Sequence, residues 1–338
     1  MKESSENSKL KSTYQLTPRK EAPALDFAIE TSDLTKCFDS LTAVNKLNLK
    51  VQKGTIHGFL GPNGAGKTTT IKIIVGLLRP DSGTVKVLGQ EVHTDDADSR
   101  LKVGFMPELP KFPKHLKGSE LLDIYGRMYG MTQQQRIDQI PKLIEMVGLK
   151  GRENDLIGKY SKGMQQRIGI AQALLNNPEL VVLDEPSIGL DPVGMVEVRE
   201  LVKAISKEGM TVFLSSHLLF EVEQLCDHVT IINNGTMLVS DTPQNIGHQL
   251  GPAMMHIELV DLSAPVIAAV KSLGFVSGTW KTDSTLLVQV NTYNDVRAQV
   301  SQAITGAGGV IVGMSQKNAN LEDIFIQLVT KDKGGKPQ

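Results

Sequence analysis

Cysteine, charge of one sign and long apolar runs are all scarce in this chain. Cys37 and Cys226 are its two cysteines. Neither a disulfide framework nor a cysteine metal site can be built from them. They fit a reducing compartment and read as ordinary small apolar residues. Acidic and basic residues nearly cancel, to a formal net charge of −1. That excludes a global electrostatic pull toward nucleic acid or acidic membrane, and no nucleic-acid partner is expected. No apolar run approaches the ~18–20 residues that would span a bilayer. The N-terminus carries no apolar segment behind its charges, so no signal peptide is expected there. The reading is a cytoplasmic chain, and any work at a membrane requires a partner to do the spanning. With 338 residues, 40% of them apolar, about two domains with proper cores are expected.

What is present centres on Gly61-Pro62-Asn63-Gly64-Ala65-Gly66-Lys67-Thr68, which fits the phosphate-binding loop G-x-x-x-x-G-K-[ST]. Thr55–Leu60 before it reads as a buried strand. Thr69 opens an apolar helix that reads on to Leu78 and is closed by Arg79-Pro80-Asp81-Ser82-Gly83. Triphosphate oxygens need many donors at short range. Glycines let backbone N–H groups come close, and a helix N-terminus turns its dipole toward the anion. Lys67 can reach the β- and γ-phosphates, and Thr68 offers a hydroxyl to Mg²⁺.

Along the chain, residues 1–25 read as a disordered tail. Phe27–Leu34 and Ala43–Val51 read as strands around a turn at Asp39-Ser40. Phe38 between them is either a platform for an adenine ring or an edge residue packed on the sheet. Thr84–Leu88 and Val103–Met106 are further strands, and the second runs into a loop carrying Glu108. Gly118–Tyr129 and Thr132–Val147 read as helices. The second has Thr132 and Gln135 spaced as a capping box, Gly148 as its stop, Pro141 placed to bend it, and an apolar face of Ile137, Ile140, Ile144 and Val147. Ser161 is placed to cap a helix that runs on to Asn177-Pro178, making a second anion-binding helix end or a plain cap.

Leu180–Leu183 is a continuous apolar strand, as in a parallel sheet covered on both faces. It delivers Asp184 and Glu185 at its C-terminal end, where open α/β sheets place their sites. Asp184 can hold Mg²⁺ through water, and Glu185 can orient and polarise an attacking water. Ser187–Pro192 turns into a helix over Val193–Glu208. The strand Thr211–Leu214 ends in Ser215-Ser216-His217, which favours a γ-phosphate contact for His217. Val229–Ile232 and Thr236–Val239 form a hairpin about Asn234-Gly235, a type I′ signal. Beyond Thr242, the segments Met255–Val260, Pro265–Leu273, Val276–Trp280, Thr285–Val290, Asp295–Ile304 and Val310–Met314 read β-α-β-β-α-β, the ferredoxin-like order. A last helix is expected at about Leu321–Val329 and a frayed end over 331–338. This C-terminal part carries no phosphate loop or metal cluster and reads as a regulatory or dimerising module.

The motifs stand in a fixed order: phosphate loop, Glu108, helices, Ser161-Lys162-Gly163, Asp184-Glu185, Asp191, His217. Over about Phe27 to Thr242 the chain resembles the ATP-binding subunit of ABC transporters, with the Ser161 stretch as its signature. The form Tyr160-Ser161-Lys162-Gly163-Met164, the Pro107-Glu108 loop and the C-terminal β-α-β-β-α-β part resemble the exporter group that pairs with a six-helix permease. The sequence departs from the general family pattern at three positions. Lys162 replaces a glycine, Met164 replaces a glutamine, and Glu108 stands where a glutamine is usual.

The resemblance implies an α/β phosphate-loop ATPase core over 26–246. It has a mostly parallel sheet, N-terminal antiparallel strands and a helical subdomain at about 109–160. A ferredoxin-like domain follows over 252–330. It implies ATP and Mg²⁺ as cofactors, with Phe38 on the adenine and Thr68, Glu108 and Asp184 about the metal. Ser161 and Gly163 would face the γ-phosphate held by a second copy of the chain. Glu185 and His217 would carry the chemistry. The partners implied are a membrane permease and that second copy, with the chain peripheral on the cytoplasmic face of the membrane. The alternative is a soluble ATPase of the same type acting on the ribosome or on DNA. Relatives of that kind usually carry paired cassettes or a long coiled coil, and the sequence has neither.

Overall fold

The computed structural model describes residues 26–94, 101–250, 253–282, 284–292 and 294–317. The expected tail over 1–25, the helix near 321–329 and the end over 331–338 lie outside them. The chain divides into two compact units between Met237 and Leu238.

The chain opens with β1 (Phe27–Phe38), β2 (Leu41–Leu47) and β3 (Lys50–Gln52); then β4 (Ile56–Leu60) leads into α1 (Lys67–Ile74). β5 (Ser82–Val87), β6 (Gln90–Glu91) and β7 (Val103–Met106) precede the helices α2 (Gly118–Met128), α3 (Gln133–Met146) and α4 (Lys162–Leu174). β8 (Leu180–Asp184), α5 (Pro192–Lys207), β9 (Thr211–Ser216), α6 (Leu219–Leu225), β10 (His228–Asn233), β11 (Thr236–Asp241) and α7 (Pro243–Leu250) follow. An antiparallel sheet runs β2-β1-β5-β6, with β3 also on β1, and a six-stranded sheet runs β11-β10-β4-β9-β8-β7. In the second sheet β10, β4, β9, β8 and β7 are mutually parallel.

That parallel sheet explains its own sequence. Leu180, Val181, Val182 and Leu183 are all 0% exposed, as are Phe59 and Phe213. Each such side chain contributes roughly 1.5–3 kcal/mol on burial. Strands covered on both faces need no polar alternation, so they read as unbroken apolar runs. Registers pair Leu60 with Ser216, Asp184 with Ser215 and Met106 with Leu183. The strands therefore finish level, and the loops after β4, β7, β8 and β9 leave from one end of the sheet.

Several local expectations shift. α1 stops at Ile74 rather than Leu78. Gly76 takes a left-handed φ of 71°. Its N–H and that of Leu77 donate to the carbonyls of Ile73 and Lys72, so a glycine cap ends the helix before the Pro80 turn. The strand expected over Ala43–Val51 is two strands, because Lys46 is left-handed and Asn48 turns its amide to Asp33 and the Lys46 carbonyl. β1 runs on past Leu34 to Phe38 through a register shift near Asp33. On α3 the Thr132–Gln135 capping box forms in both directions. Its apolar face is Ile140, Leu143 and Ile144, while Ile137 is 57% exposed. Asn234 and Gly235 both have positive φ, as a type I′ turn requires.

In the second unit, β12 (Ala253–Leu259), α8 (Ala264–Lys271), β13 (Val276–Thr282), β14 (Thr285–Val290), α9 (Arg297–Gly306) and β15 (Ile311–Lys317) form a four-stranded antiparallel sheet ordered β13-β14-β12-β15. Counting its strands from the first, the spatial order is 2-3-1-4, which is the ferredoxin-like arrangement. Its core holds Met255, Ile257, Val266, Val270, Val288 and Ile304.

Candidate active site

Four loops from the level end of the parallel sheet supply the site. After β4, the phosphate loop turns tightly. The Ala65 N–H donates to the Pro62 carbonyl, Gly64 and Gly66 have φ of 82° and 104°, and Asn63 and Gly64 are exposed. Gly66 has a second reason to lack a side chain, since a Cβ there would meet the Ala43 carbonyl oxygen at 2.3 Å. A Cβ at Gly235 would meet the same oxygen at 2.8 Å, and the Gly235 N–H donates to the Ala65 carbonyl at 2.9 Å. The loop is therefore clamped by main chain from β2 and from the β10–β11 turn.

α1 begins at Lys67, with Thr68 and Thr69 in its first turn, so the first N–H groups of the helix are turned toward the loop. Lys67 is 7% exposed. Its Nζ donates to the Gly61 carbonyl at 2.7 Å, lies 3.4 Å from that of Pro62, and pairs with Glu185 Oε1 at 3.1 Å. An ammonium held by carbonyls and one carboxylate can exchange those partners for other anionic oxygens.

After β8, Asp184 and Glu185 are 2% and 6% exposed. Burial raises the Asp184 carboxyl above the ordinary range, against hydrogen bonds from the Ser215 and Thr68 hydroxyls. The Ser215 bond is 2.6 Å, and the same Ser215 oxygen accepts the Glu185 N–H at 2.9 Å. Ser215 was not among the residues singled out from the sequence. Its signal was its place at the end of the strand beside β8. Glu185 has a φ of 50°, in the left-handed region a non-glycine residue rarely adopts. Its second oxygen meets His217 Nδ1 at 2.7 Å, from the loop after β9. Lys67, Asp184, Glu185, His217 and Ser215 thus form one connected cluster, with Thr68 next along α1 from Lys67.

Other expected residues stand elsewhere. Glu108, half-buried, lies in the loop after β7, where its carbonyl accepts from Gln166 Nε2 at 3.4 Å. Phe38 ends β1, is 45% exposed, and has Lys36 Nζ 5.6 Å from its ring centre. Ser161 caps α4, with Oγ accepting from the Met164 N–H at 3.2 Å. Ser161 and Lys162 are exposed, and the α4 start lies against the turn after Glu185. A Cβ on Gly163 would touch Leu190 at 3.8 Å, and Lys162 Nζ sits over Gly189. Asp191 caps α5, accepting from the Gly194 N–H at 2.8 Å.

Among the described residues no three His, Cys, Asp or Glu side chains gather as a metal site. A Mg²⁺ ion that takes most of its ligands from phosphate and water needs no such cage. The buried Asp184 carboxylate at the end of β8 and the Thr68 hydroxyl in the first turn of α1 fit it.

A family model described as "ABC transporter" matches residues 44–188. The bacitracin transport ATP-binding protein BcrA of Bacillus licheniformis is 35% identical over 302 residues, covering 89% of this chain and 97% of that protein. The Nod factor export ATP-binding protein I of Cupriavidus metallidurans is 31% identical over 306 residues, covering 90% and 98%. A solved ATP-binding subunit of an ABC transporter superposes with a TM-score of 0.60 at 30% identity, over 66% of this chain and 92% of its own.

Proposed function

Because the chain belongs to the family of ABC transporter ATP-binding subunits, we propose that it is the ATP-hydrolysing motor of an exporter whose permease is a separate membrane protein. The observation that carries this reading is the Lys67–Glu185–His217 cluster beside the phosphate loop. It brings an ammonium, a carboxylate and an imidazole into one chain of contacts beside that loop, which supports the reading. No helix among the described residues is long and apolar enough to cross a membrane. In this reading the chain works peripherally, on the cytoplasmic face, through its permease, as the family likeness implies. Neither the site nor the relatives named above favour the ribosome- or DNA-directed alternative.

In this reading the N–H groups of the loop from Gly61 to Thr69 cradle the phosphates, and Lys67 trades Glu185 for β- and γ-oxygens. Phe38 stacks on the adenine. Glu185, released from Lys67 and still held by His217, accepts a hydrogen bond from the attacking water and takes its proton. His217 orients that carboxylate and reaches the γ-phosphate. Thr68, Asp184 and Glu108 would hold Mg²⁺, whose part is to offset charge on the phosphate oxygens. Ser161 and Gly163 face the γ-phosphate on a second copy of the chain, so that two chains enclose two nucleotides. Residues 26–246 serve as the ATPase domain and 252–330 as an accessory one with regulatory or dimerising work.

Glu185→Gln tests the assignment. It should keep ATP binding and lose turnover by roughly 10²–10⁴-fold, the usual worth of a general base. Turnover at the wild-type rate would remove Glu185 from that role.

A further inference from the structure

Phe38 stands at the tip of β1, and one side chain from elsewhere holds that tip. The ladder between β1 and β5 makes its last pairing at Thr35 and Ser82. Beyond it, Lys36, Cys37 and Phe38 keep β2 on one side, opposite Val44, Thr42 and Leu41. On the other side Asp81, from the turn between α1 and β5, takes the place of a strand. Its N–H donates to the Thr35 carbonyl at 3.0 Å, its Oδ2 accepts the Cys37 N–H at 2.6 Å, and its Oδ1 accepts from the Lys36 ammonium at 2.8 Å. The same turn is pressed onto β1 two residues later, where a Cβ on Gly83 would meet the Asp33 carbonyl oxygen at 2.4 Å. The three consecutive residues ahead of Phe38 are thus all fixed by Asp81.

The Lys36 side chain is 14% exposed, and its ammonium lies over the Phe38 ring, 5.6 Å from the centre. A cation over an aromatic ring is drawn to the negative charge of that face. One face of the ring is therefore taken, and a flat ligand has the other. The ion pair adds little to stability, because the Asp81 side chain is 46% exposed and water screens the attraction. What the pair does is fix a direction. An exposed phenylalanine at a strand end has several rotamers open to it, and an ammonium tethered by Asp81 favours one of them. A base that stacks on a ring already set gives up less on binding than one that must first order it.

We propose that Asp81 and Lys36 are positioning residues for the nucleotide base: Asp81 fixes the tip of β1 and the Lys36 ammonium, and the ammonium holds the Phe38 ring with its other face toward the adenine. The inference rests on the reading of Phe38 as the adenine platform.

The test uses the full chain with Mg²⁺. It measures kcat and KM for ATP, and the Ki of inorganic tripolyphosphate, which has the phosphates and no base. Phe38→Ala should raise KM about tenfold, within the range of a lost base stack. Asp81→Ala should raise KM about fivefold and Lys36→Met about threefold, each with kcat and the tripolyphosphate Ki within about twofold of wild type. The double variant Asp81→Ala with Phe38→Ala should be no worse than Phe38→Ala alone, because both act through one ring. Asp81→Asn keeps an oxygen for the Cys37 N–H and should fall between wild type and Asp81→Ala. Should Asp81→Ala fail to fold, Lys36→Met and Asp81→Asn decide. Losses that multiply in the double variant, or a tripolyphosphate Ki that rises with KM, would each overturn the inference. If Phe38→Ala leaves KM unchanged, the platform reading falls and takes the inference with it. If Phe38→Ala raises KM while Lys36→Met and the Asp81 variants do not, the inference alone falls.

Discussion

Lys67→Ala in the nucleotide-free protein separates the buried ion pair from the grip on phosphate. Lys67 Nζ lies 3.1 Å from Glu185 Oε1, with side chains 7% and 8% exposed. Removing one partner of a buried pair costs about 3–5 kcal/mol, because the remaining charge is left without compensation in a place water hardly reaches. Glu185 retains His217 Nδ1 at 2.7 Å on its other oxygen, which reduces the loss. The Gly61 carbonyl loses a 2.7 Å donor, which adds to it. The sum is a fall of roughly 2–4 kcal/mol. At about 2–4 °C per kcal/mol for a unit of this size, the melting temperature should drop roughly 5–15 °C. Lys67→Met combined with Glu185→Gln removes both charges and should stay within about 1 kcal/mol of wild type. Thermal and urea unfolding without nucleotide read both variants. The single variant should also lose the stabilisation that ATP gives the wild type by binding its folded state. If Lys67→Ala melts with the wild type, the pair does not form without nucleotide. The exchange of Glu185 for phosphate would then have no basis.

Three further outcomes follow. Burial, reinforced by the His228 charge, lowers His57 from 6.5 to about 3. The unfolded chain therefore binds a proton near pH 6.5 that the folded one refuses, and stability is lost as pH falls through that window. His57→Gln should flatten the acid side of a urea-unfolding series by up to about 1.4 kcal/mol per pH unit between pH 6.5 and 3; an unchanged slope would refute it. Glu108→Gln should retain ATPase activity and shift its Mg²⁺ dependence, whereas an unmoved Mg²⁺ midpoint places Glu108 away from the metal. Lys67→Ala and Ser161→Arg chains, each inactive alone, should recover about a quarter of wild-type turnover when mixed, since half the dimers then carry one intact composite site of two. Verified heterodimers with no turnover and no ATP trapping would count against a shared site.

Much of this site was legible because its signals are local. The phosphate loop needs a strand before it and a helix after it, and both can be read from residues within one turn of the motif. Asp184, Glu185 and His217 could be picked out as candidates because a buried parallel strand must end somewhere, and open α/β sheets place their sites at that end. The capping box of Thr132 and Gln135 is equally local. The sequence failed where distant chain decides. Ile137 has the spacing of an inward residue, yet α3 turns Leu143 inward in its place. Ala43–Val51 has no breaker, and the break comes from Asn48 bonding to Asp33 across the sheet. The left-handed backbone of Glu185 follows from contacts with Ser215 and Ile188, which no run of residues around 185 announces.

The clamp on the phosphate loop determines when the loop becomes ordered. A free glycine-rich loop would surrender about 1–2 kcal/mol of backbone entropy for every residue it fixed around a ligand. Here the Ala43 carbonyl and the Gly235 turn fix that backbone as the sheets assemble. In the proposed reading, nucleotide then meets a loop whose backbone is already set. The response to ATP, in the same reading, then falls to what is not clamped: the Lys67 ammonium as it lets go of Glu185, and the Glu185 and His217 side chains themselves. The cradle is the still point of the cycle, and a substitution at Gly235, far along the chain and touching no phosphate, would loosen it as surely as one at Gly66.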